Sequence, residues 1–201
     1  MAELAIAILI AYAVLAFFVR VAIHVHDTGT TGLLGLREGA GPVEVLAGAM
    51  FLGGMVMGVL SPVLVLTGGL EPIDALDIGA LHVIGTILAS VGVLAVFLAQ
   101  LGMGESWRIG VSDDERTGLV TGGWFAFCRN PIYTSMIAAW TGFALMVPTW
   151  LGIAALAVVT VGLELQVRAV EEPHLVRTHG EEYRAYTSRV GRFVPGVGRT
   201  S

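Results

Sequence analysis

Five apolar stretches, each close to the length of a membrane-crossing helix, constrain this chain more than any other feature. They run roughly over residues 2–25, 43–67, 77–101, 131–147 and 149–167, and about 20 mainly apolar residues are needed to cross a hydrocarbon core. Hydrophobic residues make up 55% of the chain and charged residues 13%, with a mean hydropathy of +0.80. A domain with a water-facing surface does not reach such values. The expected fold is therefore all-α, a polytopic membrane helix bundle of about five transmembrane helices. The first stretch is longer than the apolar core of a secretory signal and lacks a basic lead-in or a clear cleavage site, so it reads as a retained helix. Only Met146 to Trp150 join the last two stretches, which predicts a tight C-terminal helical hairpin. With about 1.5 Å of rise per residue, its arms reach roughly 26 to 29 Å, slightly short of a core about 30 Å thick.

The charges supply an orientation. Lysine is absent, and none of the eleven arginines lies between the second and third stretches, where Glu71 and Asp74 stand instead, with Asp77 next to them. The positive-inside rule then places the N-terminus outside, the C-terminus in the cytoplasm and the arginine-bearing segments on the cytoplasmic side. A net charge of -5 argues against nucleic acid as a partner, since phosphate tracking wants a clustered basic excess. Cys128 is the single cysteine, which excludes an internal disulfide and any multi-cysteine metal centre. His24, His26, His82, His174 and His179 form no metalloprotease helix pair, so no metal is expected. Gly54 and Gly58 have the small-xxx-small spacing of close helix packing. Trp140 and Trp150 read as interfacial anchors, or Trp140 as a packing residue because it falls mid-span. The loop from His26 to Gly41, rich in Gly and Thr, shows no chemistry. The chain divides into 1–101, three N-terminal transmembrane helices, and 102–201, a catalytic half with a cytoplasmic loop, the hairpin and a tail containing a short amphipathic helix.

Ionisable groups at the edge of a span are costly and are functional candidates by default. Glu164, Arg168 and Glu172 recur every four residues, on one helix face, with Glu171 alongside; the plain structural alternative is an arginine paired with its flanking acids. Ahead of the hairpin, residues 117–133 read TGLVTGGWFAFCRNPIY, a glycine-punctuated, aromatic-rich approach to a helix that Pro131 can open. The free backbone donors of such a helix start can hold a polar or anionic group. Equally, Trp124, Phe125 and Phe127 can form an aromatic belt, and Arg129 can be a topological charge. Neither a G-x-G-x-x-G strand–helix turn nor a P-loop is present.

The run at 117–133, with RAVEEPHL at 168–175 and GEEYRAYTSRVGRFVP at 180–195, resembles the isoprenylcysteine carboxyl methyltransferase family, part of a superfamily that includes phospholipid and thiol methyltransferases. The likeness covers about residues 100–195. It implies a helical membrane enzyme that holds S-adenosylmethionine between the loop before the hairpin and the segment after it. Thr117, Gly118, Leu119 and Val120 match the family's H-x-L-V, Phe125 its aromatic, Asn130, Pro131 and Tyr133 its H-P-x-Y, and Glu171 the first residue of its double acid. This chain departs from the pattern at Thr117 and Asn130, which replace histidines, and at Phe125, which replaces tyrosine; Arg168 is offset by one residue. Arg129 is added as a candidate partner for the cofactor's carboxylate. Arg168 and Glu172 are the catalytic candidates, Arg168 to orient an acceptor carboxylate and Glu172 to accept a proton from an amine or thiol.

The resulting expectation is an S-adenosylmethionine-dependent methyltransferase whose lipophilic acceptor, an isoprenylcysteine-type carboxylate among the options, enters from the bilayer. Two competing readings stand beside it. One is a non-enzymatic small membrane transporter or assembly protein using Glu164 and Arg168; the other is a membrane reductase, for which no nicotinamide motif is present. Nothing in the sequence sets an oligomeric state.

Overall fold

The computed structural model describes residues 1–34, 40–110 and 118–200. Its long helices are α1 (Ala2–Thr28), α2 (Pro42–Leu66), α3 (Gly79–Gly102), α4 (Pro131–Met146) and α5 (Trp150–Arg189). α1, α2, α3 and α5 are long and apolar enough to cross a membrane. α4 has 16 residues, about 24 Å, so the fifth expected span is a shorter arm of the hairpin. Its end has a simple cause: Val147 precedes Pro148, which pushes it out of the helical region, and it lies at φ -134° and ψ 78°. Thr149 then caps α5 by accepting from the Gly152 amide at 2.9 Å.

The helices alternate in direction. Ala5, near the start of α1, shares a small cavity with Gly58 and Ser61 late in α2, Trp140 and Phe143 in α4, and Gly152 at the start of α5. At the opposite end, Gln100 of α3 donates to the Ala16 carbonyl at 3.3 Å. The arms of the hairpin pack chiefly outward, α4 on α3 and α5 on α2. Small residues make this possible. A β-carbon on Gly54 would lie 2.6 Å from Val159 Cγ2, and one on Gly58 would strike the Trp140 ring, so the spacing of these glycines does serve close packing. At the α3–α4 seam the close neighbours are backbone atoms. A β-carbon on Gly85 would meet the Gly142 carbonyl at 2.7 Å, and one on Gly92 would meet the Ala139 amide at 2.7 Å. Trp140 is buried against Phe143 with ring centroids 5.6 Å apart, so it packs the core, whereas Trp150 is exposed.

This alternation gathers the arginine-bearing segments at one end and the acidic 67–78 connection at the other. There the Ile73 amide donates to Pro148 at 2.7 Å. α5 runs for 40 residues, more than a bilayer core requires. Its second half is polar and forms the expected amphipathic tail helix, broken at Gly180 (φ 52°, ψ -121°). Beyond that break Tyr183, Tyr186 and Thr187 are buried. The chain thus turns back onto the bundle end and covers the loop that precedes α4.

Candidate active site

Pro131 opens α4 and Asn130 precedes it, so Tyr133 stands in the first turn, facing the middle of α5. There the helix widens into a π-turn over Gln166–Glu171, a departure that recurs at functional sites. The Tyr133 hydroxyl donates a short hydrogen bond to Glu171 Oε1. Gln166 Nε2 approaches the same oxygen at 3.5 Å, and neither bond uses Oε2. Arg108, from the segment after α3, lies near enough for its charge to act on Glu171. Tyr133 and Glu171 are 38 residues apart in two separate sequence blocks, and the fold joins them. Gln166 and Arg108 were not picked out in the sequence, because neither stands in a recognisable spacing.

A second cluster lies beside the first. Arg129 Nη2 donates to Glu172 Oε1 at 2.7 Å, while Arg192 Nε and Nη2 grip Oε1 and Oε2 at 2.8 Å each. Arg129 also donates to the carbonyls of Val190 at 2.9 Å, Thr187 at 3.2 Å and Gly198 at 3.2 Å. Its side chain is only 2% exposed. The Glu172 carboxylate, by direct hydrogen bonds, holds the Arg192 guanidinium above its ordinary value. Backbone bonds lock the tail in place, Arg129 N to Gly191 O at 2.9 Å and Asn130 N to Arg192 O at 3.1 Å. Tyr186 adds a 2.6 Å bond to the Phe125 carbonyl. Burial pushes the Cys128 thiol up, with bonds to Thr134 and the Asn130 backbone opposing in part.

These contacts separate the residues singled out in the sequence. Arg129 meets a carboxylate, as expected of it, but the carboxylate is Glu172 within the chain. Asn130 spends its side-chain amide on the Arg192 carbonyl at 3.1 Å. Phe125 is buried under the tail helix. Pro131 is buried at the start of α4, Leu119 and Val120 are partly covered, and Gly118 is exposed with its carbonyl bonded by Ser106 at 3.3 Å. Thr117, like Arg37 and Arg116, lies outside the described residues. Arg168 pairs with Glu164, as the four-residue spacing predicts, but its side chain is 58% exposed. Glu172, expected to flank Arg168, turns instead to Arg129 and Arg192. The reason is tertiary: helical spacing cannot reveal two guanidinium groups arriving from a loop and a tail.

The model of the phospholipid methyltransferase family matches residues 80–182, half of the chain, from the start of α3 through the π-turn and both acids. The chain belongs to the phospholipid methyltransferase family. No curated protein and no solved structure matches it. Membership makes this a membrane methyltransferase and points to S-adenosylmethionine as the methyl donor. It supports the superfamily inferred from the three sequence blocks, and the isoprenylcysteine branch is a finer assignment than the match carries.

Proposed function

We propose that the chain methylates a lipophilic acceptor drawn from the bilayer, with S-adenosylmethionine held at the Tyr133–Glu171 pair and the arginine-bearing end in the cytoplasm. The observation that carries the reading is that pair, which unites the block before the hairpin with the block after it. The residues suit the cofactor's chemistry. Glu171 Oε2 can accept from a ribose hydroxyl or an ammonium group, and the ring of Tyr133 offers a face to a cation. The cofactor supplies an activated methyl group on a sulfonium. Transfer breaks the sulfur–methyl bond and forms the acceptor–methyl bond, leaving S-adenosylhomocysteine.

An in-line displacement asks the protein mainly for alignment and exclusion of water. The tail contributes by burying Arg129 and closing over the loop. We assign Glu172 the task of positioning: gripped by two guanidinium groups, it anchors the tail against the loop and is poorly placed to take a proton. A carboxylate acceptor, of isoprenylcysteine type, needs no general base and fits that assignment. Arg168 faces outward with Glu164, which deprives the transporter reading of an internal polar path and leaves Arg168 no step inside the site.

The test is methyl transfer from tritiated S-adenosylmethionine to the lipid extract of nanodiscs containing the purified protein. Label in the organic phase, lost in Glu171→Gln, is the expected result. No label with any membrane extract, from protein that also fails to bind S-adenosylhomocysteine, would remove the proposal.

A further inference from the structure

Arg20, near the end of α1, has no part in the site described above, yet it is only 1% exposed. A charge that merely sets topology reaches for water. Arg20 turns inward instead, and a cation sunk at the edge of a span is costly enough to make it a functional candidate. We infer that Arg20 is a positioning residue of the cofactor site, fixing the turn after α3 and, through that turn, residues 118–120.

The local backbone brings it there. α1 widens into a π-turn over Val14–Val19, as α5 does beside Glu171, and such turns recur at functional sites. The Arg20 amide reaches back five residues to the Leu15 carbonyl, and the Ala16 carbonyl that it passes over accepts from Gln100 of α3 at 3.3 Å. Ala16 and Arg20 are four residues apart, on one face of α1, and Gln100 and Gly104 are spaced alike on the facing segment. A second rung follows, in which Arg20 Nη2 donates to the Gly104 carbonyl at 2.7 Å.

That carbonyl closes the turn. Gly104 adopts φ +53°, a conformation open to glycine, and its oxygen also accepts from the Trp107 amide at 3.3 Å. The Trp107 ring lies 4.5 Å from the Arg20 guanidinium carbon, a cation–π contact. On α1, one turn further along, His24 meets the same ring at 5.5 Å between centroids. Trp107 is 2% exposed. Arg20 thus holds the turn both by its backbone and by its buried ring.

From the turn two links run to the site. Ser106 Oγ donates to the Gly118 carbonyl at 3.3 Å, in the block that resembles a cofactor-contacting motif, and Arg108, next to Trp107, acts by its charge on Glu171. Arg20 Nε is buried without a hydrogen-bond partner, so the side chain forgoes one bond to reach the turn. A leucine would fill the seam without that cost, and packing alone does not account for an arginine here. The role in cofactor binding rests on the methyltransferase reading; the clamp on the turn does not.

The experiment compares wild type, Arg20→Leu, Arg20→Lys, Ser106→Ala and Gln100→Leu in detergent, by calorimetric titration of S-adenosylhomocysteine and by hydrogen exchange over residues 103–110. Gln100→Leu cuts the neighbouring rung of the same seam and spares the turn, so it controls for a merely structural effect. Loss of a hydrogen bond to a charged group predicts about tenfold weaker binding by Arg20→Leu, with wild-type affinity in Gln100→Leu. Arg20→Lys keeps a cation and a donor and should recover to within about threefold of wild type. Ser106 is partly exposed, so Ser106→Ala should fold whether or not Arg20→Leu does, and should bind about threefold more weakly. Exchange should quicken in Arg20→Leu and not in Gln100→Leu. Wild-type affinity in both Arg20→Leu and Ser106→Ala would overturn the positioning role, as would an equal loss in Gln100→Leu. Unchanged exchange in Arg20→Leu would overturn the clamp itself. No binding by the wild type, beside quickened exchange in Arg20→Leu, would refute the methyltransferase reading and leave the clamp standing.

Discussion

Glu172→Ala separates a positioning carboxylate from a catalytic one. In the wild type this side chain is 15% exposed and accepts from Arg129 and Arg192. Removing one partner of a buried ion pair costs about 3 to 5 kcal/mol. The lower figure applies here, because Arg129 keeps its three carbonyl acceptors and Arg192 is 13% exposed and can turn toward water. A loss of about 3 kcal/mol in a domain of this size lowers the unfolding midpoint by about 6 to 12 °C. Differential scanning fluorimetry in detergent reads that shift, and limited proteolysis should show the tail beyond Val190 cleaved earlier. Arg192→Ala should lower the midpoint too, and the double variant should fall short of additivity by about 1 to 2 kcal/mol. The reasoning fails if Glu172→Ala melts with the wild type while methyl transfer disappears. That result would return the carboxylate to the chemistry, as acceptor of a proton from an amine or thiol.

Tyr133→Phe removes the donor to Glu171 and should weaken S-adenosylhomocysteine binding about tenfold with little change in melting, the effect of losing one hydrogen bond to a charged group; unchanged affinity by calorimetry would dissociate the pair from the cofactor. Gly142→Ala would press a β-carbon into the Ala89 backbone of α3 and should cost about 1 to 3 kcal/mol, whereas Gly48→Ala, with open space around it, should melt as wild type; equal melting of the two would contradict the tight α3–α4 seam. Cys128, buried and with its thiol pushed up, holds less thiolate at neutral pH than a free cysteine, so maleimide labelling of the folded protein should be slow, rise with pH and become fast after unfolding in dodecyl sulfate. Rapid labelling of the folded protein would show that the loop beneath the tail is open.

The bundle was legible because hydrophobic length is written residue by residue, and the hairpin because Val147–Pro148 interrupts it. The close packing at Gly54 and Gly58 followed from spacing, while the backbone-to-backbone seam through Gly85, Gly92 and Gly142 joins glycines on two helices and has no such spacing to mark it. In the site, Tyr133 and Glu171 could be named from their blocks. Their direct contact required the fold. Helical spacing predicted Arg168 with Glu164 and missed Arg192, which reaches Glu172 from 20 residues away. The loop from His26 onward looked empty for the same reason: only the fold brings its Thr28 and Thr31 into one cavity wall with Trp107 and Arg108.

Calorimetric titration of S-adenosylhomocysteine into wild type and Glu171→Gln, both shown to be folded by thermal unfolding, tests the central claim that the Tyr133–Glu171 pair holds the cofactor. The account predicts saturable binding by the wild type and at least about tenfold weaker binding by the variant, the effect of replacing a charged acceptor with a neutral one. Wild-type affinity in Glu171→Gln, or no binding by a well-folded wild type, would contradict it.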